Sequence, residues 1–257
     1  GGKTWVKQYD GLRYGTEGLA YYQALAAAEP ENQKYPLLIE ELEFAVSQGA
    51  DKPLFRVAFS DAHHGYAVGA YGMVLETNDG GQTWLPVLEK VENDGFNHLF
   101  DFAPLPQSGK YFLSGEAGLL MVGDIEQEVG KKVATGPWEG SFFTAIDAAD
   151  GSIVVGGLRG RIFRTADSGV TWTEAKKPMT SAIVDSTRLA DDRLVAVGIG
   201  GEVLMSTDNG VSFVTLPVTT GGQLYTMAGR IYAVAEGTPG TLLVGGPSGI
   251  NKIKLPQ

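Results

Sequence analysis

The chain has no cysteine, only three histidines, and an excess of acid over base that leaves a formal charge of −10 on 257 residues. Without cysteine there is no disulfide framework and no thiolate to act as nucleophile or soft metal ligand. Two histidines are adjacent in the turn Asp61-Ala-His63-His64-Gly65 and the third, His98, is far away in sequence, so no metal-ligand spacing exists. No metal or cofactor is therefore expected. Nucleic acid and anionic lipid both call for a basic stripe, which the sequence lacks. No apolar run approaches the roughly 20 residues of a membrane-crossing helix. A phosphate-binding loop is also missing, because Gly157-Leu-Arg-Gly160 recurs as part of a repeat described below.

Glycine is abundant (36 residues) and the apolar runs are short, as a turn-rich β architecture requires. One eight-residue pattern occurs three times: Thr77-Asn-Asp79-Gly-Gly81-Gln-Thr83-Trp84, Thr165-Ala-Asp167-Ser-Gly169-Val-Thr171-Trp172 and Ser206-Thr-Asp208-Asn-Gly210-Val-Ser212-Phe213. Each copy lies between two strand-like runs. The aspartate can accept hydrogen bonds from its own turn, the glycine can take positive φ, and the hydroxyls can close further local bonds. The aromatic residue opens the next strand and can bury its ring between neighbouring sheets. Asp79, Asp167 and Asp208 are thus expected to serve the fold and not a substrate. The pattern resembles the Asp-box, the hairpin turn of the bacterial neuraminidase repeat.

A longer period stands behind the turns. Apolar strands ending in Gly69, Gly115, Gly156, Gly198 and Gly245 recur at intervals of 46, 41, 42 and 47 residues, close to the length of a four-stranded propeller blade. In the third unit the strands read as 143–146, 152–156, 161–165 and 171–174. Two units keep the period without the box: Val122–Val129 retains only Asp124, and Gly249–Leu255 has none. The fold expected is all-β, a single propeller domain over residues 1–257 with five full four-stranded blades from about residue 52. Gly1-Gly-Lys-Thr-Trp5 matches Gly80-Gly-Gln-Thr-Trp84, so the chain reads as starting inside a box. About two further blades, giving about seven, are then expected in the parent protein.

Residues 16–49 break the β pattern. Leu19, Tyr22, Leu25 and Ala26 are spaced as one face of a helix over 16–29, with Thr16 as its N-cap. Leu38, Ile39, Leu42, Ala45 and Val46 mark a second helix over 37–48, stopped by Gly49. A helical hairpin is not needed to build a blade. It is either a docking element with Tyr21 and Tyr22 as aromatic anchors, or a cover for a propeller edge with the tyrosines packed beneath it.

No constellation selects a reaction. A glycosidase would bring two carboxylates to one bond, but nothing in their spacing pairs Asp61, Glu116, Asp147 or Asp185. A sialidase resembles this chain only in the boxes: arginines for its triad are few, and its Arg-Ile-Pro motif does not occur, since Arg161-Ile162 continues into Phe163. The run Arg159-Gly-Arg161-Ile-Phe-Arg164 concentrates positive charge in an acidic protein. Arg159 stands just before the second glycine of its turn, where the other units carry Tyr71, Ala117, Gly200 and Ser248. Arginine and tyrosine are favoured interface anchors, so Tyr71, Arg159 and Arg161 are the candidates for a partner-binding face.

With the boxes, the Ala-Val-Gly-x-x-Gly strands and the insert together, the chain is similar to the photosystem II stability/assembly factor-like propellers. Gly65–Trp84 and Gly140–Thr144 carry the likeness most strongly. The resemblance implies a non-enzymatic, exported scaffold, periplasmic in bacteria, that holds a membrane protein or envelope complex. In the non-photosynthetic branch the implied partner is a transporter of the resistance–nodulation–division type. The alternative is a carbohydrate-active propeller, hydrolase or lectin, working through its central face.

Overall fold

Glycine-containing turns end each apolar run after about five residues, enough for one strand and too short for a helix. The computed structural model describes residues 3–105, 110–124, 128–133, 136–177, 179–217, 219–220, 223–224 and 230–256. It is an all-β, five-bladed propeller of antiparallel sheets, preceded by two helices. Blade 1 consists of β1 (Leu54–Phe59), β2 (Gly65–Gly69), β3 (Val74–Thr77) and β4 (Leu85–Pro86). Blade 2 is β5 (Leu99–Leu105), β6 (Lys110–Gly115), β7 (Leu120–Asp124) and β8 (Glu128–Lys132). In blade 3 the strands are β9 (Phe142–Asp147), β10 (Ile153–Gly157), β11 (Ile162–Thr165) and β12 (Thr173–Glu174). Blade 4 runs through β13 (Ile183–Arg188), β14 (Leu194–Gly198), β15 (Val203–Ser206) and β16 (Val214–Thr215). A two-stranded pair, β17 (Thr219–Thr220) and β18 (Gln223–Leu224), precedes blade 5, which has three strands among the described residues: β19 (Ala233–Glu236), β20 (Thr241–Gly246) and β21 (Gly249–Lys254).

The first strand of each blade is innermost, and β1, β5, β9, β13 and β19 pack in that order around a common centre. Antiparallel pairing then assigns the turns to two faces. Turns between second and third strands lie at the upper end, where each inner strand starts; the eight-residue repeat turns lie at the lower end. A separate apolar cluster fills each gap between blades. Tyr66, Val68 and Val74 of blade 1 meet Phe102, Tyr111 and Leu113 of blade 2, for example, and the last gap holds Val195, Val197, Leu242 and Val244. Alternation along the strands sends every second residue into one gap and the rest into the next, which is why the second strands of blades 1, 3 and 4 are buried throughout.

Close backbone approach explains the glycine at these turns, although in the fifth unit the residue concerned is Gly246, where a Cβ would lie 2.1 Å from the Arg230 carbonyl oxygen, and not Gly245. A Cβ on Gly69, Gly115 or Gly157 would lie 2.4, 2.6 or 2.1 Å from a carbonyl oxygen at the start of the adjoining inner strand. In the third unit the equivalent glycine is therefore Gly157 and not Gly156; the amide after it, that of Leu158, donates to Ser141 as that of Ala70 donates to Pro53.

The helices are α1 (Gly11–Ala28) and α2 (Lys34–Gln48). The first starts five residues earlier than its apolar spacing predicts. Its N-cap is Asp10, whose side chain accepts the Arg13 amide, whereas the Thr16 hydroxyl donates back to the Leu12 carbonyl within the helix. The hairpin packs on the face of blade 1 turned away from blade 2: Tyr22, Leu38 and Leu42 meet Ala67, Leu75 and Trp84. It fills the role against blade 1 that each blade fills against the next. Gly18, against Leu42 and Pro86, allows the close approach. Lys3–Asp10 form no strand and Trp5 is 89% exposed, so the Gly1–Trp5 likeness to a box is not matched by a strand pairing among the described residues.

Candidate partner-binding face

The repeat turns of the lower face form three copies of one hydrogen-bond set. Asp167 accepts the Thr171 amide at 2.8 Å, the Thr171 hydroxyl at 2.5 Å and the Thr165 hydroxyl at 2.7 Å, while Thr165 Oγ1 accepts the Gly169 amide at 2.9 Å. Asp79 with Thr83 and Thr77, and Asp208 with Ser212 and Ser206, repeat it. Gly81, Gly169 and Gly210 all have positive φ. The indole N–H groups of Trp84 and Trp172 donate to the Gly81 and Gly169 carbonyls, and Phe213 is buried between blades 3 and 4. The donated hydroxyl and amide of Thr83 hold the Asp79 carboxyl down at about 2, and those of Thr171 do the same for Asp167. Partial burial pushes Asp208 the other way, but Ser212 and Ser206 still bring it below the ordinary range. The carboxylates are fully occupied within their own turns.

A polar belt links the inner strands at one level. Arg56 on β1 gives Nε to Asp101 Oδ1 on β5 at 2.8 Å and reaches Asp185 on β13 with a second nitrogen at 3.5 Å. Asp101 Oδ2 accepts the Ala145 amide and the Thr144 hydroxyl of β9, and Thr144 Oγ1 lies 2.7 Å from Ser186 Oγ. Asp185 Oδ2 accepts the Val234 amide of β19. Burial pushes both carboxyls above the ordinary range, against the pull of Arg56 and the donated amides. The other carboxylates considered from sequence also have partners of their own. Asp61 accepts from His63 and His64, Glu116 accepts the His98 amide, and Asp147 pairs with Arg188. Among the described residues no group of three or more His, Asp or Glu could hold a metal ion, and no helix is long and apolar enough to cross a membrane.

Exposed aromatic and cationic groups collect on the upper face. Tyr71 and Arg159 are exposed and occupy equivalent turn positions with φ of 53° and 57°. A glycine follows each, also at positive φ, which makes the turns type I′. Glycine, asparagine or aspartate ordinarily fills the first of these positions, so a bulky side chain there is held at a conformational cost of about 1 kcal/mol or more. Ala117 adopts the same conformation, φ 51°, in blade 2, so the turn itself sets the backbone and the repeat aims whatever side chain stands there from this face. From Tyr71 a continuous track runs both ways. Outward, Lys52 Nζ sits 4.6 Å from the Tyr71 ring centre and 5.5 Å from that of Phe44 on α2, and pairs with Glu41. Inward, the His98 ring lies 5.0 Å from Tyr71 and its Nδ1 accepts the Tyr71 amide. The line continues through Phe55, Phe100 and Phe143, successive rings 5.4 and 5.0 Å apart, at the mouth of the central opening.

The five candidate anchors thus part company. Tyr71 and Arg159 share the upper face. Arg161 immediately precedes β11, but it pairs with Glu174 at 2.7 Å and lies over the Trp138 ring. Tyr22 is corrected to a core residue: it is 0% exposed, its hydroxyl donates to Glu89 and accepts the Leu88 amide at 2.8 Å, and its ring is packed beneath the hairpin. Tyr21, half-buried, packs edge-on against Tyr22. Sequence reading missed Phe44, Lys52, His98 and the three phenylalanines. A signal for the last was present: aligning the inner strands gives Leu54-Phe55-Arg56, Leu99-Phe100-Asp101 and Phe142-Phe143-Thr144, an aromatic before the belt residue in blades 1 to 3, where blade 4 has Val184 before Asp185.

Residues 41–221 match the family described as photosynthesis system II assembly factor YCF48. The chain belongs to this family. A rice relative, "Photosystem II stability/assembly factor HCF136, chloroplastic", is 25% identical over 137 residues, covering 52% of this chain and 33% of the relative. The chain thus spans about a third of that protein's length. Among solved structures, "YCF48 bound to D1 peptide" superposes with a TM-score of 0.57 at 20% identity, over 80% of this chain and 68% of the other. A virginiamycin B lyase from Staphylococcus aureus gives 0.60 at 16% identity over 80% and 71%. At such identities the structural likenesses establish the propeller alone, since one fold hosts both binders and enzymes.

Proposed function

We propose that this protein is a non-enzymatic, exported scaffold that holds a membrane protein, or a membrane complex under assembly, on its upper face. One observation carries the reading: two exposed anchor residues, Tyr71 and Arg159, are held in left-handed turns on the same face, where a glycine would be free of strain. Membership in an assembly-factor family, and a relative bound to a peptide of D1, support a protein partner over a small substrate. Rigid display is the mechanism. The blades fix the turns, the belt of Arg56, Asp101 and Asp185 ties the inner strands together, and the partner meets a preformed surface, so little ordering cost opposes binding. Arg161 would contribute after exchanging Glu174 for a carboxylate of the partner. The proposal stops at a membrane protein in general, because no observation favours a resistance–nodulation–division transporter over others.

The test is crosslinking in the native cells followed by purification and mass spectrometry. A specific membrane protein should be recovered, and less of it with Arg159→Ala or Tyr71→Ala at unchanged folding. Recovery of the protein alone, or undiminished capture by both variants, would overturn the reading.

A further inference from the structure

The outward side of α2 carries apolar groups the fold does not use. Leu37 is 62% and Phe44 53% exposed, and their spacing of seven residues places them on one stripe about 10 Å long. Between them on the same side stand exposed Glu40 and partly buried Glu41, the latter paired with Lys52; exposed Glu43 lies beyond Glu40, and Lys34, the helix's one basic residue, lines the cavity described next. Where α2 meets blade 1, the stripe opens onto a cavity of about 50 Å³ lined by Leu37, Leu38, Leu88, Val91 and Phe96 among others. That is room for several water-sized groups, enough for the branched end of an aliphatic side chain. Phe96, at the wall, has a φ of 49°, a costly conformation for an aromatic residue. Exposed Asp94 adds a further negative charge at the cavity.

We infer that this acidic, apolar rim is a docking groove for a basic amphipathic helix of a protein partner, one of whose aliphatic side chains enters the cavity. The inference rests on the scaffold reading above and names the chemistry of a second contact on the same partner. Charge complementarity selects the occupant. Surface-bound membrane helices place lysine and arginine beside their apolar stripe; here glutamates occupy those positions, and an anionic bilayer would repel them. A helix with apolar groups at i, i+3 or i+4 and i+7 and cations on its flanks matches both the stripe and the charge. Phe44 continues through Lys52 to Tyr71, so a helix seated here adjoins the upper face.

The experiment is fluorescence anisotropy of a labelled synthetic helix of leucine and lysine, titrated with the full chain. The controls are a leucine–glutamate twin and vesicles of anionic phospholipid. The lysine peptide should bind and the glutamate twin should not. Leu37→Asp should weaken binding by about tenfold, the cost of losing one well-seated anchor. Glu40→Lys with Glu43→Lys should weaken it comparably, and both substitutions are at exposed positions that leave the fold intact. Equal binding of the twin, unaltered binding by Leu37→Asp, or preferential binding to the vesicles would overturn the inference. Arg159→Ala should leave peptide binding unchanged, so a failed peptide titration with intact capture in cells sinks only the groove. Failed capture sinks the scaffold reading.

Discussion

Replacing Asp101 by Asn tests whether the central belt holds the inner strands together. Asp101 is 2% exposed and accepts four hydrogen bonds, two at each oxygen: Arg56 and the Phe102 amide at Oδ1, the Thr144 hydroxyl and the Ala145 amide at Oδ2. Asparagine has one acceptor oxygen and turns an NH₂ toward the other pair, setting donors against donors. Each buried donor left without a partner costs about 1–3 kcal/mol and two donors face the new NH₂; the lost charge on Asp101 adds less than in a fully buried pair, because Arg56 is 40% exposed. A loss of about 3–5 kcal/mol is expected, a large part of the ~5–15 kcal/mol of a typical domain. With a urea dependence of about 3 kcal/mol per molar, the unfolding midpoint should fall by about 1 M or more. A shift under about 0.3 M would refute the claim that the belt couples the blades. The pH dependence supplies a second arm through Arg56→Met. A carboxyl raised in the folded state is easiest to bury when protonated, so its stabilising contribution is full below the unfolded value near 3.8 and declines as pH rises through the folded value. Asp101 and Asp185 are both raised by burial, and removing Arg56 raises them further. Arg56→Met should therefore be more destabilising at pH 7 than at pH 4; the reverse order would mean that the carboxyls do not titrate as a buried pair.

The repeat-turn aspartates should behave with the opposite sign. Asp79 and Asp167 are held at about 2, so their contribution is full above the unfolded value and is lost as pH falls toward 2, which side-chain NMR titration would read directly. Asp167→Ala should lower the thermal midpoint and leave partner capture unchanged; selective loss of capture would place a binding role there. Tyr22→Phe removes the bridge between Glu89 and the buried Leu88 amide. It should cost about 1–3 kcal/mol and speed amide exchange in α1, whereas unchanged exchange would show that the hairpin is held without it. Tyr71→Gly relieves the left-handed strain, so the unfolding midpoint should hold or rise while capture falls; a lower midpoint would mark Tyr71 as structural.

Some of this was legible residue by residue and some was not. The repeat turns could be read because the bonds of their aspartate carboxylates all go to residues within four positions: Asp167 needs only Thr165 and Thr171 to explain it. The strand glycines were legible as a period, but choosing Gly157 over Gly156 required the carbonyl of Ser141 packed against it. Thr16 was a reasonable cap by type. Asp10 captures the Arg13 amide nearly two turns earlier and starts the helix there. For the proposed partner face, position within the repeat marked Tyr71 and Arg159, since the type I′ turn is local and recurs.

The architecture is legible in the chain alone: short apolar runs, closed by turns whose aspartates bond within the turn, repeated at blade length. Local hydrogen bonding and period-two burial settle that without knowledge of distant residues. Only the tertiary structure decided which polar groups are occupied and which are free. Arg56 meets Asp185 across the centre of the ring, Tyr22 closes on Glu89 across 67 positions, and Phe55, Phe100 and Phe143 line up from three separate blades. The physical reason is that these contacts form between elements brought side by side by blade packing, and their energy depends on burial and separation in space, neither of which is written in sequence spacing.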